Sequence, residues 1–554
     1  MGYWVYSIIC AGAKWFRQVQ HRKRASSDSD IPSTGPSDIL PEIPCRICRQ
    51  LFLSKPGLAI HYREKHPQAA FHEFAYTGNV EQLRILMKSD PQYVNVIHPL
   101  TGLAPIHEAA RQGHIVILQM LLETGAEINK QAERTQLTAL HFAAAQGNME
   151  MLNLLLSKGA NVHIRSITGG TALHVAARFS RVAIIKALIV SGSDVLATTN
   201  EGNTSLHIAA MYASSEIVMA LLEGKAEPNE TRPADGATPL HCAVTSYVQS
   251  TDKIKALLEF GAIPNTRNSW GDTPLHLAVT LGCVDQIKLL VSTDAFVNVR
   301  RNDGNTPIHL AAWTDNLQIL DILVSATSDS DILTVLNERN QYGETPLHIA
   351  TRAGRADMCK AVIASGSKVN AFRSDGWAPI HLAWNLQVLQ VLIDQGCDVE
   401  LRSRRGSTAL HIAVENHYYE GARKLLAAGA NVDAFDGYGR TPLTIAMSMG
   451  DEVFVRILME AGANSVLCDK FGNSPFSWIS PQTVRDLRLL AILQSGPREE
   501  VGLDGKTKEN VREVKAAVRS LARLYESDEK PEDNMMRQGS RKVHFEVMND
   551  SNLK

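Results

Sequence analysis

One tetrapeptide, met again and again, constrains this chain more than anything else in it. The form Thr-Pro-Leu-His, or a close variant, starts at Ala104, Thr138, Thr171, Thr204, Thr238, Thr273, Thr306, Thr345, Ala378 and Thr408. It returns as Thr-Pro-Leu-Thr at Thr441. The closing histidines fall at 107, 141, 174, 207, 241, 276, 309, 348, 381 and 411, with steps of 34, 33, 33, 34, 35, 33, 39, 33 and 30 residues. A period near 33 marks a tandem array, in which one unit cannot bury its own apolar face and neighbours must stack to make a core.

Each unit reads as a turn and two helices. Glycine precedes the tetrapeptide, as at Gly202, Gly271 and Gly343, where a turn with positive φ is wanted. Thr then suits a helix N-cap, and Pro the first helical position, whose N–H has no partner in any case. The first helix is short and small-faced, as in His276-Leu277-Ala278-Val279. The second carries apolar residues at helical spacing, such as Ile115, Leu118, Leu121 and Leu122, and stops at Gly-Ala, as at Gly125-Ala126, Gly159-Ala160 and Gly429-Ala430.

These residues resemble the ankyrin-repeat family over roughly 68–496. The resemblance implies an all-α solenoid of about twelve helix-turn-helix units with β-turn tips. Phe71–Tyr93 looks like a degenerate first unit and Phe471–Gly496 like a closing cap. Two units depart from the period. The one from Thr306 is six residues long, which places a loop insertion at Ser325–Asp331. The one from Ala378 is three short near Trp384-Asn385, which should shorten a helix. In this family the repeated histidine is structural, bonding between neighbouring repeats, and stacked copies stand too far apart to share a metal. The chain also carries no Gly-rich phosphate loop, no Gly-x-Ser-x-Gly and no His-Glu-x-x-His. Nothing in it points to an enzyme.

The resemblance also implies protein partners, held on the concave face by turn tips and first helices. Six residues before the tetrapeptide, six units carry arginine: Arg165, Arg232, Arg267, Arg300, Arg339 and Arg402. The stripe suits an acidic partner segment lying across several repeats. It also suits a solubility device, and the interruptions at Thr198, Phe372 and Phe435 favour that.

Ahead of the repeats, residues 43–67 match the Cys-x2-Cys-x12-His-x4-His pattern of a ββα zinc finger. Cys45, Cys48, His61 and His66 are the candidate zinc ligands, with Phe52 and Leu58 as the small core. The base-facing helix positions would hold Ser54, Gly57 and Ile60, none of which makes bidentate contacts to base edges. A structural or protein-binding finger is therefore favoured over nucleic acid. The flanks keep the second option open, since residues 1–67 hold ten Lys/Arg against five Asp/Glu, with a basic cluster at Arg22–Arg24.

The chain as a whole has a formal charge of −2, which argues against a polyanion gripped along its length. The cysteines outside the finger show no paired spacing, so the sequence predicts a reducing, intracellular setting in cytoplasm or nucleus. No apolar run is long enough to span a membrane. Residues 1–40 are expected to be mostly disordered, apolar from Tyr3 to Ala13 and then basic. A peripheral membrane anchor with Cys10 as its lipidation site is the competing interpretation.

Residues 497–554 form a tail. An amphipathic helix is expected at 507–525, with Val511, Val514, Val518, Leu521 and Tyr525 on one stripe, followed by a polar, disordered end. There Arg541-Lys542-Val543-His544-Phe545 resembles the short motif by which regulators dock on protein phosphatase type 1. Lys542 would meet an acidic rim, while Val543 and Phe545 enter apolar pockets as alternate residues of an added strand. The sequence thus favours a non-enzymatic adaptor with a possible phosphatase-targeting tail. A nuclear, nucleic-acid-associated regulator and a membrane-tethered scaffold are the alternatives.

Overall fold

The structure, a computed structural model, describes residues 43–44, 51–52, 60–61, 64–247, 250–328, 330–465 and 467–472. The chain divides into two compact units, one ending at Glu127 and the other beginning at Ile128.

In the first unit, strands β1 (Ile43–Pro44) and β2 (Leu51–Phe52) pair antiparallel, Ile43 opposite Phe52 and Pro44 opposite Leu51. Two helical pairs follow: α1 (Pro67–Thr77) with α2 (Val80–Ser89), and α3 (Pro105–Gln112) with α4 (Ile115–Glu123).

The second unit contains ten more pairs among its described residues. They begin with α5 (Ala139–Gln146) and α6 (Met149–Ser157), α7 (Ala172–Arg178) and α8 (Val182–Val190), and α9 (Ser205–Tyr212) and α10 (Ser215–Glu223). Next come α11 (Pro239–Val244) and α12 (Thr251–Glu259), α13 (Pro274–Thr280) and α14 (Val284–Ser292), then α15 (Pro307–Trp313) and α16 (Leu317–Ser325). A short extra helix, α17 (Ile332–Leu336), precedes α18 (Pro346–Arg352) and α19 (Ala356–Ala364). A 3-10 turn (Pro379–Leu382) pairs with α20 (Leu386–Asp394). The last pairs are α21 (Ala409–Glu415) with α22 (Tyr419–Ala427), and α23 (Pro442–Met449) with α24 (Glu452–Glu460). Each first helix packs on the first helices before and after it, and second helices do the same behind them.

The second helices supply most of the core at a strict spacing. Met151, Leu152 and Leu155 are fully buried, and the same places hold Ile184, Ile185 and Leu188, or Ile319, Leu320 and Leu323. Each such side chain contributes about 1.5–3 kcal/mol when taken out of water. Every unit adds its share only once its neighbour covers it.

The tips are joined by backbone. Asn200 N–H donates to the Thr168 carbonyl at 2.9 Å, Asn302 to Trp270 at 3.0 Å and Gly437 to Arg405 at 2.7 Å, each bond linking one tip to the preceding one. This close approach explains the tip glycines. At Gly343, φ is +75° and a Cβ would lie 2.4 Å from the backbone nitrogen of Ser374.

Both irregular units behave as their lengths require. The six extra residues become a turn after α16 that leads into α17, so His309 reaches the Glu344 carbonyl 35 residues on. In the short unit the first helix shrinks to the 3-10 turn, and His381 finds its carbonyl at Leu401, only 20 residues on. No helix among the described residues is long and apolar enough to cross a membrane.

Candidate binding face on the row of first helices

The repeated histidines are consumed by architecture. At His207, the Thr204 N–H donates to Nδ1 at 3.3 Å, so that nitrogen is unprotonated and the proton sits on Nε2. Nε2–H then donates to the Ala237 carbonyl of the next unit at 3.1 Å. His141, His174, His241, His348 and His411 repeat the arrangement onto Gly170, Asn203, Asp272, Trp377 and Arg440. Burial holds His174, His207, His276 and His348 down at about 4. A buried neutral histidine with both nitrogens committed is a clamp between units.

What remains open to solvent on the first helices is apolar and aromatic. Four residues after the N-cap stand Phe142, Val175, Ile208, Leu277 and Leu310, all half-buried. Seven to nine residues after it, the helix ends and the following turns present Phe179, Tyr247, Leu281 and Trp313, each more than half exposed. From α5 to α18 the first helices contain no Asp or Glu, and their cationic side chains other than histidine are Arg178 and Arg352.

Both arginines lie on rings. The Arg178 guanidinium sits 4.9 Å from the centre of the Tyr212 ring, one unit further on. Tyr212 in turn stacks on Tyr247 of the following unit, with ring centres 6.0 Å apart and planes 19° from parallel. Arg352 sits 5.4 Å over the Trp313 ring of the preceding unit and is steadied by the largely buried Glu344 at 3.3 Å.

Beneath the tyrosine stack lies a fully buried lysine. Lys253 Nζ donates to the Ala210 carbonyl at 3.0 Å and to Ser246 Oγ at 2.5 Å, and Ser246 Oγ–H donates to the Met211 carbonyl at 2.8 Å. No carboxylate among the described residues forms an ion pair with it, and burial lowers its pKa to about 8. The cation takes up one of the carbonyls left open at the end of α9. It thereby binds the turn that carries Tyr247 to the helix that carries Tyr212.

The tip arginines bond along the stack. Arg165 donates to the carbonyls of Gly169 (3.0 Å) and Thr198, and Arg402 to that of Phe435 at 2.6 Å. Arg232 pairs with Asp235 and reaches Asn203 at 3.2 Å, while Arg267 reaches Asn302 at 3.3 Å. Arg300 pairs with Glu338 at 2.5 Å, and Arg339 is exposed. Four of the six therefore reach into the following unit, with only part of their charge facing solvent.

Of the candidate zinc ligands, Cys45 and Cys48 lie outside the described residues, as do Lys542, Val543 and Phe545 of the tail and the 507–525 segment. By sequence both cysteines fall between β1 and β2. The rings of His61 and His66 lie 5.1 Å apart, centre to centre, and 76° from parallel. Two imidazoles at that separation, following a hairpin whose connection carries two thiols, fit the donor set of a tetrahedral zinc site. Among the described residues no group of three or more metal-binding side chains gathers anywhere else.

Sequence reasoning did not find Lys253 or the two ring-bound arginines. A register count from the tetrapeptide onto the helix ends would have found the aromatics. It would not have found Lys253, whose burial depends on how two turns pack.

Models of the ankyrin-repeat family match this chain almost without a break: one of three copies at 181–268, 246–335, 331–403 and 385–469, and one of many copies at 106–156 and 144–189. The chain belongs to the ankyrin-repeat family, and that fold makes it a protein-interaction scaffold. Among curated proteins it is similar to the human transient receptor potential cation channel subfamily A member 1, 33% identical over 20% of this chain and 10% of that one. It is 36% identical to the mouse B-cell lymphoma 3 protein homolog over 18% of this chain and 23% of that one. The mouse protein phosphatase 1 regulatory subunit 12A is 36% identical over 13% of this chain and 8% of that one. The chain thus spans less than a quarter of each of these relatives.

Proposed function

We propose that this protein is a non-enzymatic adaptor that holds a polypeptide partner on the first helices of its second unit. One observation carries the proposal: seven consecutive first helices, α5 to α18, present apolar and aromatic side chains to solvent and no carboxylate. The histidines repeated along them, the other chemistry-bearing group on these helices, are committed to clamping neighbours.

Two modules complete the adaptor. Cys45, Cys48, His61 and His66 would hold a zinc ion whose role is to fold residues 43–67. Lys542, Val543 and Phe545 would dock on the catalytic subunit of protein phosphatase type 1 as an added strand, leaving the repeats to select what the phosphatase meets. Similarity to a relative named as a regulatory subunit of that phosphatase supports this, although the match lies in the repeats. The setting is intracellular.

The test is an affinity capture from lysate comparing the full chain with Val543→Ala/Phe545→Ala and with Cys45→Ser/Cys48→Ser. Phosphatase catalytic subunit that disappears with the tail variant alone supports the targeting role. Its presence with that variant, or its absence throughout, removes that role. Proteins retained by all three forms are then the partners of the repeats.

A further inference from the structure

The face described above has a chemical preference, and this inference rests on the adaptor proposal. We infer that the first-helix row of the second unit takes an extended acidic peptide with two proline or aromatic anchors, read by the Arg178–Tyr212–Tyr247 stack and by Trp313.

Charge decides the sign of the partner. Between α5 and α18 no carboxylate is available to a basic ligand, so a lysine- or arginine-rich segment would lose its hydration and gain no counter-charge. The two cations present are not equivalent. Arg352 is already paired with Glu344. Arg178 has no ion pair among the described residues and lies against the Tyr212 ring. An arginine spread on an aromatic face keeps its outward N–H groups directed at solvent and can take a carboxylate bidentately. A polyanion such as RNA would need several such cations in a row, and this floor offers one.

Ring geometry decides the shape. Tyr212 and Tyr247 form a nearly parallel pair across two units, and Tyr247 is 80% exposed, with an open face beyond the stack. Trp313 is 53% exposed two first helices further along. Aromatic-lined grooves of this kind suit polyproline-type segments, whose rings lie flat on indole and phenol faces. Neighbouring helices stand about 8–10 Å apart, so Tyr247 to Trp313 is roughly 16–20 Å. At about 3.1 Å per residue, the two anchors should stand about five to seven residues apart. The acid should lie within two or three residues of the first anchor, on the side away from the second. Lys253 serves this face as a positioning residue, because it binds the Tyr247 turn to the end of α9.

The test is selection of a random 16-residue peptide library, displayed on phage, against the full-length chain. Measured affinities of synthetic winners for Arg178→Glu, Trp313→Ala and Tyr247→Ala would follow. The expected winners carry Asp or Glu beside a proline or aromatic residue and a second anchor about five to seven residues on. Each variant should weaken them at least tenfold, and Arg178→Glu should select basic peptides instead. Tyr247 is exposed enough that its loss cannot unfold the stack, and unchanged thermal melting would confirm this for all three. Winners without acid or anchors, or winners indifferent to all three variants, would overturn the inference while leaving the adaptor proposal standing. Retention of an oligouridine RNA that the same variants abolish would overturn it in favour of nucleic acid.

Discussion

His207 Nε2 donates its proton to the carbonyl of Ala237, 30 residues later and one unit further on, while its Nδ1 accepts from the Thr204 N–H. One imidazole thus caps a helix and joins two repeats, and it does so only when neutral. Burial places His174, His207, His276 and His348 at about 4, against 6.5 in an unfolded chain. Between those values the unfolded state binds more protons, so stability is fully present above pH 6.5 and falls as pH drops toward 4. Each site contributes up to roughly 3 kcal/mol to that loss. Urea unfolding of the full chain at pH 7.5, 6.0, 5.0 and 4.5 should show a steadily falling midpoint. A flat midpoint down to pH 5 would contradict the clamp, and His207→Ala should cost about 1–3 kcal/mol at pH 7.5.

Tip glycines and helix-ending glycines should respond differently to the same substitution. Gly343 and Gly429 both have positive φ, +75° and +89°. A Cβ on Gly429 meets nothing within 4 Å, so Gly429→Ala should cost only the left-handed backbone penalty of about 1–2 kcal/mol. A Cβ on Gly343 would lie 2.4 Å from the Ser374 nitrogen, part of the backbone bond from Ser374 to Tyr342. Gly343→Ala should therefore cost clearly more, and hydrogen exchange should show loosened protection at Ser374. Equal costs would mean that adjacent tips are not held at the distance seen.

Lys253 is buried at the cost of its hydration, and its pKa near 8 records that strain. Its folded pKa lies below the unfolded value of 10.5, so between pH 8 and 10.5 the unfolded chain holds the extra proton. Through this group stability rises across that window. Lys253→Met removes the effect and leaves the Ala210 carbonyl and Ser246 hydroxyl without their donor. The wild-type chain should therefore gain in melting temperature relative to the variant between pH 8 and pH 10. A constant difference would show that the lysine does not titrate there.

The architecture could be read in advance because one unit's requirements recur at a fixed interval. Thr or Ala before Pro-Leu-His places the N-cap, glycine places the tip, and a 39- or 30-residue step locates the insertion or the lost turn. The binding face was harder to see because it depends on contacts between units. Arg178 belongs to one tetrapeptide register and Tyr212 to the next, and nothing local says that a guanidinium will lie on a ring 34 residues away. The tip arginines erred in the opposite direction. Their regular spacing suggests a free stripe, but spacing cannot reveal that Arg165, Arg267, Arg300 and Arg402 each reach a carbonyl or side chain of the next tip. Lys253 looked like an ordinary exposed helix-start lysine and is instead buried under a turn.

Residues 43–67 are short, and so small a unit is folded mainly by a bound metal. The chain purified without chelator should therefore contain one zinc per molecule by native mass spectrometry, and none in Cys45→Ser/Cys48→Ser. Replacement by cobalt(II) should give the visible absorption of tetrahedral sulfur-and-nitrogen coordination. Chelator should remove that absorption reversibly and leave the melting of the repeats unchanged, because no repeat contributes a ligand. Zinc content unaffected by the cysteine pair would show that the metal sits elsewhere. An octahedral cobalt spectrum would show that His61 and His66 are not joined by two thiolates. If instead the repeats melted earlier on chelation, the finger would be part of their stability as well as their neighbour in sequence.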